Sequence, residues 1–268
     1  MPTSWSGVAE AYRRSFAGLC AGTFPVLLES AHGRGTRLLD VGSGTGVFAR
    51  QAAAAGYAVT AIDADPEMVA MTATELGDHG KTLQAELPDI PLTAEQFDIV
   101  TANFVINHVP KPAAAVGELA RLARPGGAIL ITTWTNRPTA QAQLFNTALD
   151  TAGAVRPESY RLPAADDFER SPDGLAGLAA AAGLVVEESR ELRWDWKIGP
   201  DALWAGVEGG VATIGSTYQA QTPDIRQRIR AAFYRESQAL MVGQEIVLPT
   251  VAAFVRATKP GGRPAQNS

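Results

Sequence analysis

The stretch that most constrains this chain runs Arg37-Leu38-Leu39-Asp40-Val41-Gly42-Ser43-Gly44-Thr45-Gly46. Leu38, Leu39 and Val41 form a short apolar run of the kind a buried strand shows. Glycines follow at alternate positions, 42, 44 and 46. The segment from Val47 to Ala55 then has high helix propensity and ends at Gly56, a helix stop. The glycines therefore occupy a strand-to-helix turn. Glycine there permits positive φ and lets a ligand approach the backbone, because no Cβ intervenes. The helix start beyond the turn offers unpaired N–H groups to an anion.

The spacing bears on the ligand. A dinucleotide-binding turn reads G-x-G-x-x-G. Here it is G-x-G-x-G, and Val47 stands where the dinucleotide pattern wants its third glycine. Asp40 lies just before the turn, where a carboxylate repels a pyrophosphate but can hold an ammonium group. The next strand, 58–62, ends at Asp63, about 20 residues past the first glycine and placed to accept both hydroxyls of a ribose. A ribose, an amino group and a carboxylate together describe S-adenosylmethionine (SAM).

L-L-D-V-G-S-G-T-G followed by A-I-D-A-D (61–65) resembles motifs I and II of the class I SAM-dependent methyltransferases. F-D-I-V-T-A-N-F-V-I-N-H-V (97–109) and L-A-R-L-A-R-P-G-G-A-I-L-I-T-T-W (119–134) resemble the later motifs of its small-molecule branch, methyltransferase type 11 or 25. The four stretches come in the family's order and cover residues 37–134. The resemblance implies an α/β fold, a Rossmann-like doubly wound seven-stranded sheet with its last strand antiparallel. It implies SAM as cofactor, with Asp40, Gly42, Gly44, Gly46, Asp63 and Ala64 around it. Met68 falls where the family often packs a residue on the adenine, and fits equally as core. The family's Asp-Ala pair after strand 3 is matched here by Gln84-Ala85, followed by Glu86, so the adenine contact falls to Gln84, to Glu86 or to backbone alone. Ligands in open α/β sheets bind beyond the carboxyl ends of the strands. Asn103 therefore falls beside the methionine part of SAM, and Asn107 and His108 near the acceptor. Tyr12, on an amphipathic helix over 8–16, matches a tyrosine that in the family lies across the pocket mouth. Tyr12 and Phe16 also fit as plain core.

Methyl transfer is an in-line displacement that needs alignment and exclusion of water more than many catalytic side chains. His108 is the best candidate base, since imidazole titrates near neutral pH; it also fits as an acceptor-positioning or packed residue. Tyr12 is the second candidate. Trp134 and Trp204, with Trp194 and Trp196, are candidates for shaping an apolar acceptor site, against ordinary core packing. His32, His79, His108 and Cys20 show no zinc-ligand spacing. Asn103, Asn107 and Thr133 at the ends of strands 4 and 5 supply no carboxylate, so a metal-free reaction is expected.

A net charge of −5 without a Lys/Arg run argues against a nucleic-acid partner. One cysteine leaves no intrachain disulfide and makes a cytoplasmic setting the default. No stretch reaches the ~18 apolar residues of a membrane span, and no basic segment precedes an apolar run at the N-terminus. The expected organisation is N-terminal helices over 1–36, a core of 37–199 and 244–258, a helical cap inserted at 200–243 and a disordered tail at 259–268. The leading reading is methylation of a small molecule, a specialised metabolite. A nicotinamide-dependent oxidoreductase, disfavoured by Val47 and Asp40, and a SAM-using enzyme of different outcome are the alternatives. The acceptor and the oligomeric state are not legible.

Overall fold

The structure, a computed structural model, describes residues 5–158 and 162–261. In chain order the elements are α1 (Ala9–Arg14), α2 (Ala17–Cys20), α3 (Phe24–Ala31), β1 (Arg37–Val41), α4 (Val47–Ala54), β2 (Ala58–Asp63), α5 (Pro66–Leu76), β3 (Gly80–Gln84), β4 (Phe97–Asn103) and α6 (Pro112–Leu122). Then come β5 (Ala123–Trp134), α7 (Ala140–Ala152), α8 (Pro172–Ala181), β6 (Val185–Ile198), α9 (Pro200–Glu208), α10 (Ala212–Gln219), α11 (Pro223–Ser237), β7 (Met241–Val242) and β8 (Glu245–Thr258).

The strands form one sheet in the order β3-β2-β1-β4-β5-β8-β6, with β7 paired to β8. Neighbours from β3 to β5 are parallel, and β8 runs antiparallel to β5. The expected seven-stranded α/β sheet is present. The extra strand, β7, is the short arm of a hairpin whose Met241 and Val242 face Ile246 and Glu245 across a turn at Gly243 (φ 65°). Two residues carry no legible period, and the sequence pattern runs the preceding helix on to Met241. In the structure α11 stops at Ser237 and a 3₁₀ turn, Gln238–Leu240, leads into β7.

By compactness the described chain falls into two units. The second comprises the described parts of Thr23–Thr135, Leu162–Leu192 and Ala252–Ser268. Its core is legible in β4, whose Phe97, Ile99, Val100 and Ala102 are all buried because neighbouring strands and helices cover both faces. Val116 and Leu119 of α6 and Leu175 and Ala179 of α8 belong to the same cluster. Each large aliphatic side chain buried there contributes roughly 1.5–3 kcal/mol. At the amino ends of the strands, the Asp98 carboxylate accepts the N–H groups of Thr36 (3.1 Å) and Arg37 (2.8 Å) and binds the Arg124 guanidinium. Those bonds hold its pKa below the usual carboxylate range, against the opposing effect of burial. Arg124-Pro125-Gly126-Gly127 forms a bulge inside β5: Ala123 pairs with Phe97, and the ladder resumes at Ala128 opposite Ile99. The tail expected from Lys259 on is anchored at its first residue. Lys259 exchanges backbone bonds with Gly126 and Gly127, and its ammonium donates to the Ala123 carbonyl at 3.0 Å. Residues 262–268 lie outside the described residues.

The first unit comprises the described parts of Met1–Gly22, Asn136–Arg161 and Arg193–Val251. It takes in α7, which the sequence reading assigns to the core. The reason is aromatic packing: Phe145 of α7 stacks on Phe233 of α11 at 5.8 Å and meets Phe16 at 6.5 Å. The helix expected over 20–31 is broken by a 3₁₀ turn at Ala21–Thr23. Gly22 lies against the Trp194 indole, where a Cβ would sit 2.2 Å from Nε1.

Asp98→Ala removes the acceptor for two backbone N–H groups and the partner of Arg124. It is expected to lower the unfolding free energy by about 1–3 kcal/mol in urea denaturation. An unchanged midpoint would contradict the clasp.

Candidate functional site

Because β1 to β5 are parallel, their carboxyl ends share one edge of the sheet. Strand order reverses between β1 and β4, the position where open α/β sheets take their ligands. Along that edge lie the glycine turn after β1, Asp63 ending β2, Gln84 ending β3, Asn103 ending β4 and Trp134 ending β5.

The turn has left-handed backbone at Gly42, Gly44 and Gly46 (φ 70°, 56° and 81°). The N–H groups of Gly42 and Ser43 donate to the Ile62 carbonyl at 2.8 and 2.9 Å, and Gly46 N–H to the Ser43 carbonyl at 3.0 Å. Gly44 is held through both of its flanking peptide groups. Its N–H donates to Asp63 Oδ2 at 2.8 Å, and its carbonyl accepts from the Thr72 hydroxyl at 3.0 Å. A Cβ on Gly42 would lie 2.3 Å from Val105 Cγ2, and one on Gly46 2.7 Å from Thr72 Cα. At these two positions the missing Cβ makes room for the protein's own chain, where the sequence reading assigns that room to a ligand. Gly46 is also the left-handed N-cap of α4, so the helix begins directly from the turn.

Two acids sit beside this turn. Asp63 accepts from Gly44 through Oδ2 and from Asp65 N–H through Oδ1 (3.0 Å), and each carboxylate oxygen keeps further acceptor capacity. Asp65 in turn caps α5, accepting from Glu67 and Met68 N–H at 2.9 and 3.1 Å, with Pro66 in the first turn as expected. Burial raises the Asp63 pKa, against its backbone hydrogen bonds. Asp40 is only 2% exposed. Its Oδ1 accepts from Thr101 Oγ1 at 2.9 Å, while Oδ2 is buried with no hydrogen-bond partner among the described residues. Burial first, then repulsion from Asp63, push its carboxyl up to about 7, against the Thr101 bond that pulls it down. An orphaned, buried carboxylate oxygen beside a second, half-buried acid calls for a cationic ligand. The ammonium and sulfonium of SAM meet that need, and a pyrophosphate does not. The residues present fit SAM.

Ala64 is exposed, and its carbonyl accepts from Gln84 Nε2 at 3.1 Å, which orients the Gln84 carboxamide. Ala85 N–H continues the β2–β3 pairing to the Asp63 carbonyl at 3.0 Å, and Glu86 opens an exposed bridge to Asp89. Met68 is 3% exposed and lies on the buried face of α5 with Thr72 and Leu76. Asn103 is tied into the scaffold. Its Oδ1 accepts from both Thr23 Oγ1 (2.8 Å) and Thr132 Oγ1 (2.6 Å), so that oxygen is already engaged where the sequence reading assigns Asn103 to the cofactor. Asn107 and His108 occupy the 3₁₀ turn Ile106–His108 just past β4, and the Asn107 carboxamide accepts from Thr133 at 3.5 Å. Burial holds the His108 imidazole down at about 4, so it is neutral at neutral pH. Trp134 stacks on Phe104 at 3.8 Å and 17°, and Phe104 itself has left-handed backbone (φ 57°). Tyr12 and Trp204 belong to the first unit. The Tyr12 hydroxyl hydrogen-bonds the Cys20 thiol. Trp204 is enclosed by Tyr218, Phe233 and Tyr234 and only 2% exposed, so its ring is core, not an exposed acceptor surface. Sequence reasoning missed Thr72, Thr101 and Val105. A legible signal existed for Thr72: it is the hydroxyl in an otherwise apolar i, i+4, i+8 row, Met68-Thr72-Leu76.

Among the described residues no group of three or more His, Cys, Asp and Glu is arranged to hold a metal ion, and no helix is long and apolar enough to cross a membrane. Residues 39–131 match the family described as a methyltransferase domain. A ubiquinone biosynthesis O-methyltransferase of Xylella fastidiosa is 31% identical over 226 residues, covering 74% of this chain and 89% of that protein. An uncharacterised protein of Mycobacterium tuberculosis is 32% identical over 173 residues, a match that takes in 60% of this chain and 61% of that protein's length. Among solved structures, the YcgJ protein of Bacillus subtilis superposes with a TM-score of 0.57 at 21% identity, over 90% of this chain and 99% of that one. The chain belongs to the SAM-dependent methyltransferases of the type 11/25 kind.

The Asp40 carboxyl titrates near 7 when folded and near 3.8 when unfolded. Between those values the native state holds a proton that the unfolded state has lost, so Asp40 makes the ligand-free protein less stable as pH rises from about 4 to about 7. The raised Asp63 acts in the same direction, and the lowered His108 in the opposite one. Asp40→Asn removes only the first contribution. The stability of wild type relative to this variant, from urea denaturation without ligand, is expected to fall between pH 5 and pH 8. A difference independent of pH would contradict the assignment.

Proposed function

We propose that this chain transfers the methyl group of SAM to a small-molecule acceptor, a specialised metabolite, without a metal ion. The observation that carries the proposal is a pair of acids, the buried Asp40 with an orphaned oxygen and the half-buried Asp63, flanking the glycine turn at the switch point of the sheet. In this reading Asp63 accepts the ribose hydroxyls, Asp40 offsets the positive charge of the aminoacyl end, and the glycine turn lies against the nucleoside. Gln84, with its carboxamide oriented by the Ala64 carbonyl, takes the adenine edge. SAM, when bound, supplies an electrophilic methyl carbon on its sulfonium. The chain's own residues then have to align an acceptor and exclude water.

An oxygen acceptor is favoured by the name of the Xylella relative, an O-methyltransferase. A neutral imidazole has one acceptor nitrogen. His108, kept neutral by burial just beyond β4, is suited to accept a hydrogen bond from the acceptor hydroxyl. Its low basicity makes orientation its main contribution, with the proton passing to it as the oxygen loses electron density. Asn107 stands beside it, and the Phe104–Trp134 stack offers a planar apolar wall at the ends of β4 and β5.

The test is incubation with SAM and a panel of small hydroxylated aromatics, with S-adenosylhomocysteine and a methylated product detected together. Both are expected from the wild-type chain. His108→Ala is expected to lower kcat by roughly 10²-fold, with the S-adenosylhomocysteine Kd within about twofold of wild type. S-adenosylhomocysteine without a methylated product would contradict the proposal, and loss of cofactor affinity with unchanged kcat would contradict the role of His108.

A further inference from the structure

The Met68-Thr72-Leu76 row of α5 faces inward, and all three side chains are buried. An apolar residue at 72 would satisfy the packing. The chain has a hydroxyl there instead, fully enclosed, 3.0 Å from the Gly44 carbonyl and 3.0 Å from the Ser43 hydroxyl. Thr72 has one proton to give. Given to the Gly44 carbonyl, it leaves Thr72 Oγ1 to accept from Ser43 O–H, so the two hydroxyls form a chain whose members polarise one another. The peptide group on the other side of the Gly44 Cα, Ser43–Gly44, is held by the Asp63 carboxylate, which accepts its N–H at 2.8 Å. Gly44 has left-handed backbone and lies outside any strand or helix, so no regular ladder fixes its orientation.

We propose that Thr72 is a positioning residue for the cofactor. Its hydroxyl holds the Gly44–Thr45 peptide, which limits rotation about the Gly44 backbone and so steadies the Gly44 N–H of the neighbouring Ser43–Gly44 peptide against the Asp63 carboxylate that meets the ribose. This rests on the SAM reading above. The contact that forbids a Cβ at Gly46 is made by Thr72 Cα, a backbone atom. It therefore survives any side-chain change at 72, and Thr72→Val isolates the hydroxyl from the packing.

The test compares wild type, Thr72→Val and Thr72→Ser. S-adenosylhomocysteine is titrated calorimetrically, the ligand-free thermal midpoint is recorded, and amide hydrogen exchange is followed over residues 42–46. Thr72→Val is expected to weaken S-adenosylhomocysteine roughly tenfold, the effect of stranding one hydrogen-bond acceptor. It should also speed exchange in the turn and move the ligand-free midpoint by less than about 4 °C. Thr72→Ser, which keeps the hydroxyl, is expected to bind within about twofold of wild type. In turnover the KM for SAM should rise with kcat unchanged. Wild-type affinity in Thr72→Val would overturn the inference, and so would equal weakening in Thr72→Ser, which would assign the effect to the methyl group. If the wild-type chain takes up no S-adenosylhomocysteine, the SAM reading itself falls, a result distinct from either.

Discussion

The hydrogen bond from Gly44 N–H to the Asp63 carboxylate, at 2.8 Å, ties the middle of the glycine turn to the end of β2. Parallel pairing in register brings the ends of β1 and β2 together, with Val41 opposite Ile62. The turn that follows β1 has three left-handed residues, and its shape depends on what its backbone groups can reach. The Ile62 carbonyl takes two N–H groups, Asp63 takes a third, and Thr72 supplies the donor for the Gly44 carbonyl. Asp65, anchored to Asp63 and capping α5, places Thr72 two turns further along the same helix. Strand end, acid, cap and clamp are consecutive consequences of one short stretch, Asp63 to Thr72.

The electrostatics of this corner oppose the ligand-free state. Asp40 is withdrawn from water and Asp63 partly so, both have raised pKa values, and Asp63 repels Asp40. Natural cores seldom retain a carboxylate oxygen without a partner, because burying it unpaired is costly. Such local conflicts concentrate at sites that a ligand completes. The sign of the conflict carries the chemical information. Two acids disfavour a pyrophosphate and favour a molecule that brings positive charge.

Much of this corner was legible because its determinants are local. The apolar run ending in alternating glycines, the acid closing β2, and Asp65-Pro66 opening α5 all act within a few residues, and each formed as its neighbours dictate. The doubly wound α/β class and its antiparallel last strand followed from the resemblance of the four stretches. What escaped was tertiary. Asn103 has a strand-end position suited to a ligand, yet two threonines far away in sequence take its oxygen. Trp204 reads as an acceptor-site aromatic until the ring of Tyr218, Phe233 and Tyr234 closes around it. The glycines at 42 and 46 read as ligand clearance, while Val105 and Thr72 fill those spaces. The identity of the acceptor has no local signature, since its site draws side chains from loops whose spacing no periodicity governs.

The central claim is that this carboxylate-bound glycine turn selects a cationic aminoacyl nucleoside over a dinucleotide. Calorimetric titration of the purified chain with SAM and, separately, with NAD tests it most directly. The account predicts saturable binding of SAM, competed by S-adenosylhomocysteine, and no heat with NAD. Saturable binding of NAD with none of SAM would contradict it.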